Sequence, residues 1–339
     1  MFALTKVPAI VFYIWFIINL TTIKCWLLHQ AGLNGSRYNV RHLSTHFSRV
    51  FLCLSIEQKN FPTLIEARWP VSYLPMRTVV FPNREMHANG VHSDCKRMHQ
   101  ALWSQVDSLS RLWVMDAGDV SNASCAPKLL VFDLIRENAD VLRIDCGQYI
   151  STNETQSLVI KMGPKPNSCE LERHIYFILG NDPYILSYDI FNQTWYRHQL
   201  LSAKYDTVMQ PFPITPVDFT FGPQDELYVS DKDGVLFSSV SALKTEGTQV
   251  LKTIRLTRIG NFLGPSRSMI MDLGSLFYIV PKFGAVVRCE QGNLFNLSTE
   301  GNEIIYLTSK NIQQIFFGAE GLVWVLSDRV LKPTDICYP

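Results

Sequence analysis

Ser110-Arg-Leu-Trp-Val-Met-Asp116 is the stretch on which the reading of the fold turns. A polar lead-in is followed by an aliphatic residue, an aromatic and more apolar residues. The same phrase recurs as Ser48-Arg-Val-Phe-Leu-Cys-Leu54, Arg173-His-Ile-Tyr-Phe-Ile-Leu179, Asp225-Glu-Leu-Tyr-Val-Ser-Asp231, Gly274-Ser-Leu-Phe-Tyr-Ile-Val280 and Gly321-Leu-Val-Trp-Val-Leu-Ser327. Its aromatics are Phe51, Trp113, Tyr176, Tyr228, Phe277 and Trp324, at intervals of 62, 63, 52, 49 and 47 residues. Self-similarity on this scale marks a repeat architecture.

Several copies lead through a turn into a second β-type run: Leu129 to Leu134, Tyr184 to Ile190, Val235 to Val240 and Ala285 to Cys289. Strand, turn and strand at this period is the rhythm of an antiparallel blade, and six blades around an axis predict an all-β, six-bladed β-propeller. The phrases are read as inner strands packed on both faces, which removes the need for strict alternation. Two sandwiches with coincidentally spaced aromatic strands are the alternative, and the settling of the intervals near fifty favours the propeller. Val106 to Leu112 is the nearest helical candidate, and it runs straight into a strand.

Composition narrows the function. The 339 residues carry 31 Lys and Arg against 30 Asp and Glu, a net charge of +1 that offers no footprint for nucleic acid or an anionic membrane. Hydrophobic residues at 47% against 18% charged exclude disorder for most of the chain.

At the N-terminus, Lys6 precedes an apolar run from Val7 to Leu20, broken by Pro8 and carrying Asn19 as its strongly polar residue. This run falls short of the roughly 20 residues that span a bilayer and fits a secretory leader, the alternative being an uncleaved anchor. Residues 1–24 are therefore read as a signal peptide, with cleavage between Thr22 and Cys25, and 25–339 as a single propeller domain. Six repeats over the latter average about 52 residues each. The expected location is extracellular, with no membrane contact once the leader is removed.

Secretion predicts paired cysteines and used glycosylation acceptors. Beyond Cys25, the candidates for disulfides are Cys53, Cys95, Cys125, Cys146, Cys169, Cys289 and Cys337, with no C-x-x-C spacing and no pairing legible from sequence. If cleavage removes Cys25, one of these seven is left over. Acceptor triplets begin at Asn34, Asn122, Asn153, Asn192 and Asn296.

Leu112-Trp-Val-Met-Asp-Ala-Gly118 followed by Cys125-Ala-Pro-Lys-Leu-Leu-Val-Phe-Asp-Leu134 resembles the insect yellow and major royal jelly protein family, whose members carry R-L-W-V-L-D-x-G and then C-P-P-K-L-x-x-F-D-L. Ser48-Arg-Val-Phe51, Phe61-Pro-Thr-Leu64, Ile185-Leu-Ser-Tyr-Asp189 with Trp195 and Arg197, Glu226-Leu-Tyr-Val229, Gly274 to Cys289 and Gly321 to Arg329 extend the likeness over roughly residues 45 to 330. Leu109 stands where the family often has a cysteine, so the resemblance implies that a common disulfide is absent or rewired around Cys95. Ser55-Ile-Glu-Gln58 replaces the usual P-R-W, and both terminal arms are short for the family. The eggshell-associated branch is the nearer fit. The resemblance implies a non-catalytic matrix or binding protein in cuticle or eggshell maturation or pigmentation, with extracellular matrix, cuticle or eggshell proteins as partners. Its alternatives are a dopachrome-converting enzyme of melanin formation and a binder of a small aromatic amine or catechol.

Site residues are weighed against structural roles. His87, His92, His99, Asp94 and Cys95 are the densest set of metal-type ligands, but they lie in a loop-like stretch and Cys95 is expected to be oxidised, so no metal and no cofactor is expected. Hydrolase and nucleotide-binding signatures are absent, and no catalytic or ligand-binding residue is assigned. Ser266 and Ser268 read as a connecting loop. Asp116, Asp133, Asp189 and Asp231 are expected to accept hydrogen bonds from turn backbone. Trp113 and Trp324 are read as packing between blades, with aromatics near a central channel as the place for a stacked ligand.

Overall fold

Four of the six phrases are entered through a turn with a residue in the left-handed region: Phe47 at φ 52°, Ser110 at 59°, Asp225 at 66° and Gly321 at 76°. Such turns reverse the chain tightly, so each phrase pairs at once with the strand before it. The computed structural model describes residues 38–56, 61–69, 78–88, 94–119, 125–164, 173–180, 182–202, 211–239, 251–290, 301–318, 321–328 and 330–334. The leader, Asn34, Asn122, Asn296, Cys169, Cys337 and His92 lie outside them.

Strands follow one another in antiparallel groups. The first contains Tyr38–His46 (β1), Arg49–Ile56 (β2), Leu64–Arg68 (β3) and Val79–Val80 (β4); the second Ala101–Val106 (β5), Arg111–Asp116 (β6), Lys128–Asp133 (β7) and Ala139–Asp145 (β8). Then come Val159–Met162 (β9), His174–Ile178 (β10), Tyr184–Asp189 (β11) and Thr194–Ser202 (β12), followed by Pro216–Phe221 (β13), Leu227–Asp231 (β14), Val235–Ser239 (β15) and Leu251–Asn261 (β16). Arg267–Met271 (β17), Ser275–Val280 (β18), Ala285–Glu290 (β19) and Asn302–Leu307 (β20) form the next group, and Ile312–Phe317 (β21), Val323–Ser327 (β22) and Val330–Pro333 (β23) the last. A parallel pairing of β12 with β16, from Arg197 opposite Leu251 to Ser202 opposite Leu256, joins two of these groups into one eight-stranded sheet. The architecture is all-β and propeller-like.

The apolar phrases are β2, β6, β10, β14, β18 and β22, the second strand of each group. Their side chains point alternately to the two neighbouring groups. Val50, Leu52 and Leu54 pack with Trp324 and Leu326, whereas Phe51 and Cys53 pack with Leu112 and Val114. Trp113 and Met115 meet Ile175 and Phe177, and Tyr176 and Ile178 meet Leu227 and Val229. Tyr228 meets Leu276 and Tyr278, and Phe277 and Ile279 meet Val323 and Val325. Each hydrophobic cluster thus lies between consecutive phrases, and the last phrase packs back on the first.

This corrects the placing of the phrases as inner strands. The innermost strands are the ones just before them, and they are far more polar. The expectation of general cysteine pairing is also corrected. Cys95 and Cys125 form a disulfide, but Cys53, Cys146 and Cys289 are free, buried thiols. Each of the three is sealed in a different cluster, so none can reach another. Burial pushes the thiols of Cys53 and Cys146 up to about 12, which leaves them protonated and inert.

Candidate functional site: a central cavity

Strands β1, β5, β9, β13, β17 and β21 line a common cavity of about 970 Å³. Side-chain bonds tie each lining strand to the next. Ser44 and Ser104 share a hydroxyl hydrogen bond of 2.8 Å between β1 and β5, and Gln105 Oε1 accepts from Met162 N on β9 at 3.4 Å. Lys161 Nζ lies 3.1 Å from Asp218 Oδ1 on β13, and Asp218 Oδ2 accepts from Met269 N on β17 at 2.6 Å. Ser268 Oγ accepts from Ile315 N on β21 at 3.2 Å. Gln314 on β21 completes the circuit, accepting from Leu43 N at 2.8 Å and donating to Leu43 O at 3.1 Å on β1.

The titratable groups of the wall are bound up in this circuit. His42 sits between Ser104 N, 3.4 Å from its Nδ1, and Gln314 Nε2, 3.2 Å from its Nε2. Burial, reinforced by the Lys161 cation, drops its pKa to about 3, so the imidazole is neutral and too weak a base to take a proton near neutrality. Burial also lowers the pKa of Lys161, opposed by Asp218, and Lys161 donates further to the Met269 carbonyl. Arg41, Arg173 and Arg267 also line the cavity, against the carboxylates of Asp218 and Asp328. With Asp218 committed to Lys161 and backbone, and Arg173 donating to the Gly163 carbonyl at 2.8 Å, Arg41 and Arg267 remain against the single carboxylate of Asp328.

The sequence candidates fall elsewhere. His87 is buried with Nε2 2.8 Å from the Phe81 carbonyl, the His99 amide donates to Asp116, and Asp94 caps its own turn through Lys96 N. Among the described residues no group of three or more metal-type ligands converges. The strand-end aspartates do brace turns: Asp133 accepts from Ile135 N and Arg136 N, Asp189 from Phe191 N and Asn192 N, and Asp231 from Asp233 N and Val235 N. Asp116 is buried and does more, accepting from Gln100 N at 2.7 Å and lying 2.7 Å from Lys128 Nζ. Trp113 is fully buried with Nε1 donating to Asp107 Oδ2 at 2.8 Å, and Trp324 packs edge-on against Trp69. Ser266 shares a hydroxyl hydrogen bond with Ser230, whereas Ser268 belongs to the cavity circuit. Of the acceptor asparagines, Asn153 and Asn192 are both exposed.

Fold and cavity together define an all-β, propeller-like protein with a polar, strand-walled centre. Residues 101–237, from β5 through most of β15, match the family model of the major royal jelly proteins. The match is narrower than the span suggested by the motifs. Two honeybee (Apis mellifera) relatives are similar: major royal jelly protein 7, 38% identical over 19% of this chain and 15% of its own length, and major royal jelly protein 3, 36% identical over 20% and 12%. The aligned segments thus cover less than a sixth of those relatives. Among solved structures, an auxiliary nutrient binding protein from Bacteroides thetaiotaomicron superposes with a TM-score of 0.52 at 8% identity, covering 92% of this chain and 75% of its own. A streptogramin B lyase gives 0.49 at 12% identity, covering 89% and 94%.

Proposed function

We propose that the protein is a secreted, single-domain, six-bladed β-propeller of the yellow type, acting outside the cell in cuticle or eggshell maturation as a non-catalytic binding or matrix protein. The observation that carries this reading is the cavity of about 970 Å³ walled by six successive inner strands, a volume in the range of small-molecule sites. The disulfide and the apolar run from Val7 to Leu20 support secretion. The low basicity of His42 and the commitment of Asp218 support binding over proton-transfer chemistry. Arg41 and Arg267, set against Asp328, favour the oxygens of a catechol or quinone over a bare ammonium. Calorimetry against catechol, dopamine, serotonin and octopamine tests this. Catechol and dopamine are expected to bind several-fold more tightly than octopamine; flat titrations at millimolar ligand would remove the ligand reading. Dopachrome decay at the buffer rate is expected in its presence, and acceleration would replace binding with catalysis. Mass spectrometry of secreted material, looking for a cleaved leader, checks the compartment.

A further inference from the structure

The turn that feeds β9 into the cavity wall carries one of the acceptor triplets, Asn153-Glu-Thr155. Glu154–Gln156 form a short 3-10 turn, and Thr155 and Gln156 line the cavity. Thr155 is buried, its Oγ1 donating to the Thr152 carbonyl at 2.6 Å, so the turn is anchored from below. Asn153 stands at the N-cap position, where an asparagine ordinarily turns its side chain inward to accept from the backbone. Here it makes no capping bond and is exposed. Glu154 Oε2 accepts from the Ser151 amide at 2.7 Å, which braces the turn without the asparagine side chain. Asn192 contrasts with it: its Nδ2 donates to Asp189 Oδ2 at 2.8 Å, and it sits in the β11–β12 hairpin, away from the innermost strand.

We infer that Asn153 is an N-glycan attachment site on the rim of the central cavity, and that its glycan screens that entrance against macromolecules while admitting small ones. The bond formed joins Asn153 Nδ2 to the first sugar, with loss of one amide proton and departure of the lipid pyrophosphate of the glycan donor. The nitrogen keeps one N–H, and no hydrogen bond of the fold is broken. The inference rests on the secretion proposed above, because the donor lies in the secretory lumen.

The test expresses the full chain in a secretory insect cell line and maps glycopeptides at Asn153 and Asn192. Glycan at Asn153 is the expected result. Glycan at Asn192 with Asn153 bare would overturn the inference while leaving secretion intact; both bare, with the leader retained, would overturn the two together. Screening is read from Gln156→Cys, an exposed cavity-lining position, labelled with N-ethylmaleimide and with a polyethylene-glycol maleimide, the parent chain supplying the background. Relative to the double variant with Asn153→Gln, the bulky reagent is expected to react several-fold more slowly and the small one equally fast. Equal bulky-reagent rates in a fully glycosylated sample would overturn the screen. Matching thermal midpoints for the variants show that the fold is intact.

Discussion

The Asp116 carboxylate holds the amides of His99, Gln100 and Gly118 and, 2.7 Å away, the Lys128 ammonium. Both side chains are buried, so Asp116→Ala leaves a cation and several amides without compensation. The expected loss is about 3–5 kcal/mol, read from urea unfolding. His42 and His198, the latter 2.8 Å from Ser187 Oγ, give the molecule a defined acid sensitivity. Burial, with nearby cations adding to it, takes both to about 3. Each takes up a proton on unfolding near pH 6.5, so the unfolded chain binds more protons and stability falls as pH drops from about 6.5 toward 3. By pH 5 each is expected to cost about 2 kcal/mol, and His42→Gln should remove roughly half of their joint loss between pH 7 and 5 in chemical denaturation. The turn-bracing aspartates were legible because a carboxylate at a strand end has one common use. His42, Lys161 and Gln314 were not legible. A polar residue alternating along a strand reads the same whether it faces bulk water or an enclosed wet cavity.

At the level of the strand, the phrases were legible because burial between two neighbours makes both faces apolar at once. The order of strands within a group was not. An inner strand such as β9, Val159–Met162, is short and carries Lys161, so it lacks the contrast that hydrophobic pattern detects. The family's characteristic D-x-G has a plain cause here. Gly118 adopts φ 72°, and a Cβ there would run into the Cys125 carbonyl, the residue that the disulfide fixes. Gly118→Ala combines the left-handed penalty with a backbone clash, and its expected cost is about 2–3 kcal/mol in thermal or urea unfolding.

Across the whole molecule, the circuit around the cavity depends on a closing joint between the last inner strand and the first, 271 residues apart in sequence at Leu43 and Gln314. Such a contact has no local signature, so closure was inferred from the repeat alone. Gln314→Ala strips two hydrogen bonds from Leu43 and is expected to cost about 1–3 kcal/mol, with faster amide exchange in β1 and β21 than elsewhere. The parallel joint between β12 and β16 has a different consequence, for self-association. An outermost strand normally offers unpaired N–H and C=O groups to any passing chain. Here two such strands occupy each other, and among the described residues the outer positions that remain are β4, β8, β20 and β23. The first has two residues, the second bears Asp140, Arg143 and Asp145, and the last ends in Pro333, each a poor template. Asn302–Leu307 differs, with Ile304 52% and Leu307 67% exposed. Chains of this protein brought together at high concentration should therefore add to one another at β20, and Ile304→Lys should slow that aggregation, as followed by light scattering, without lowering the unfolding midpoint.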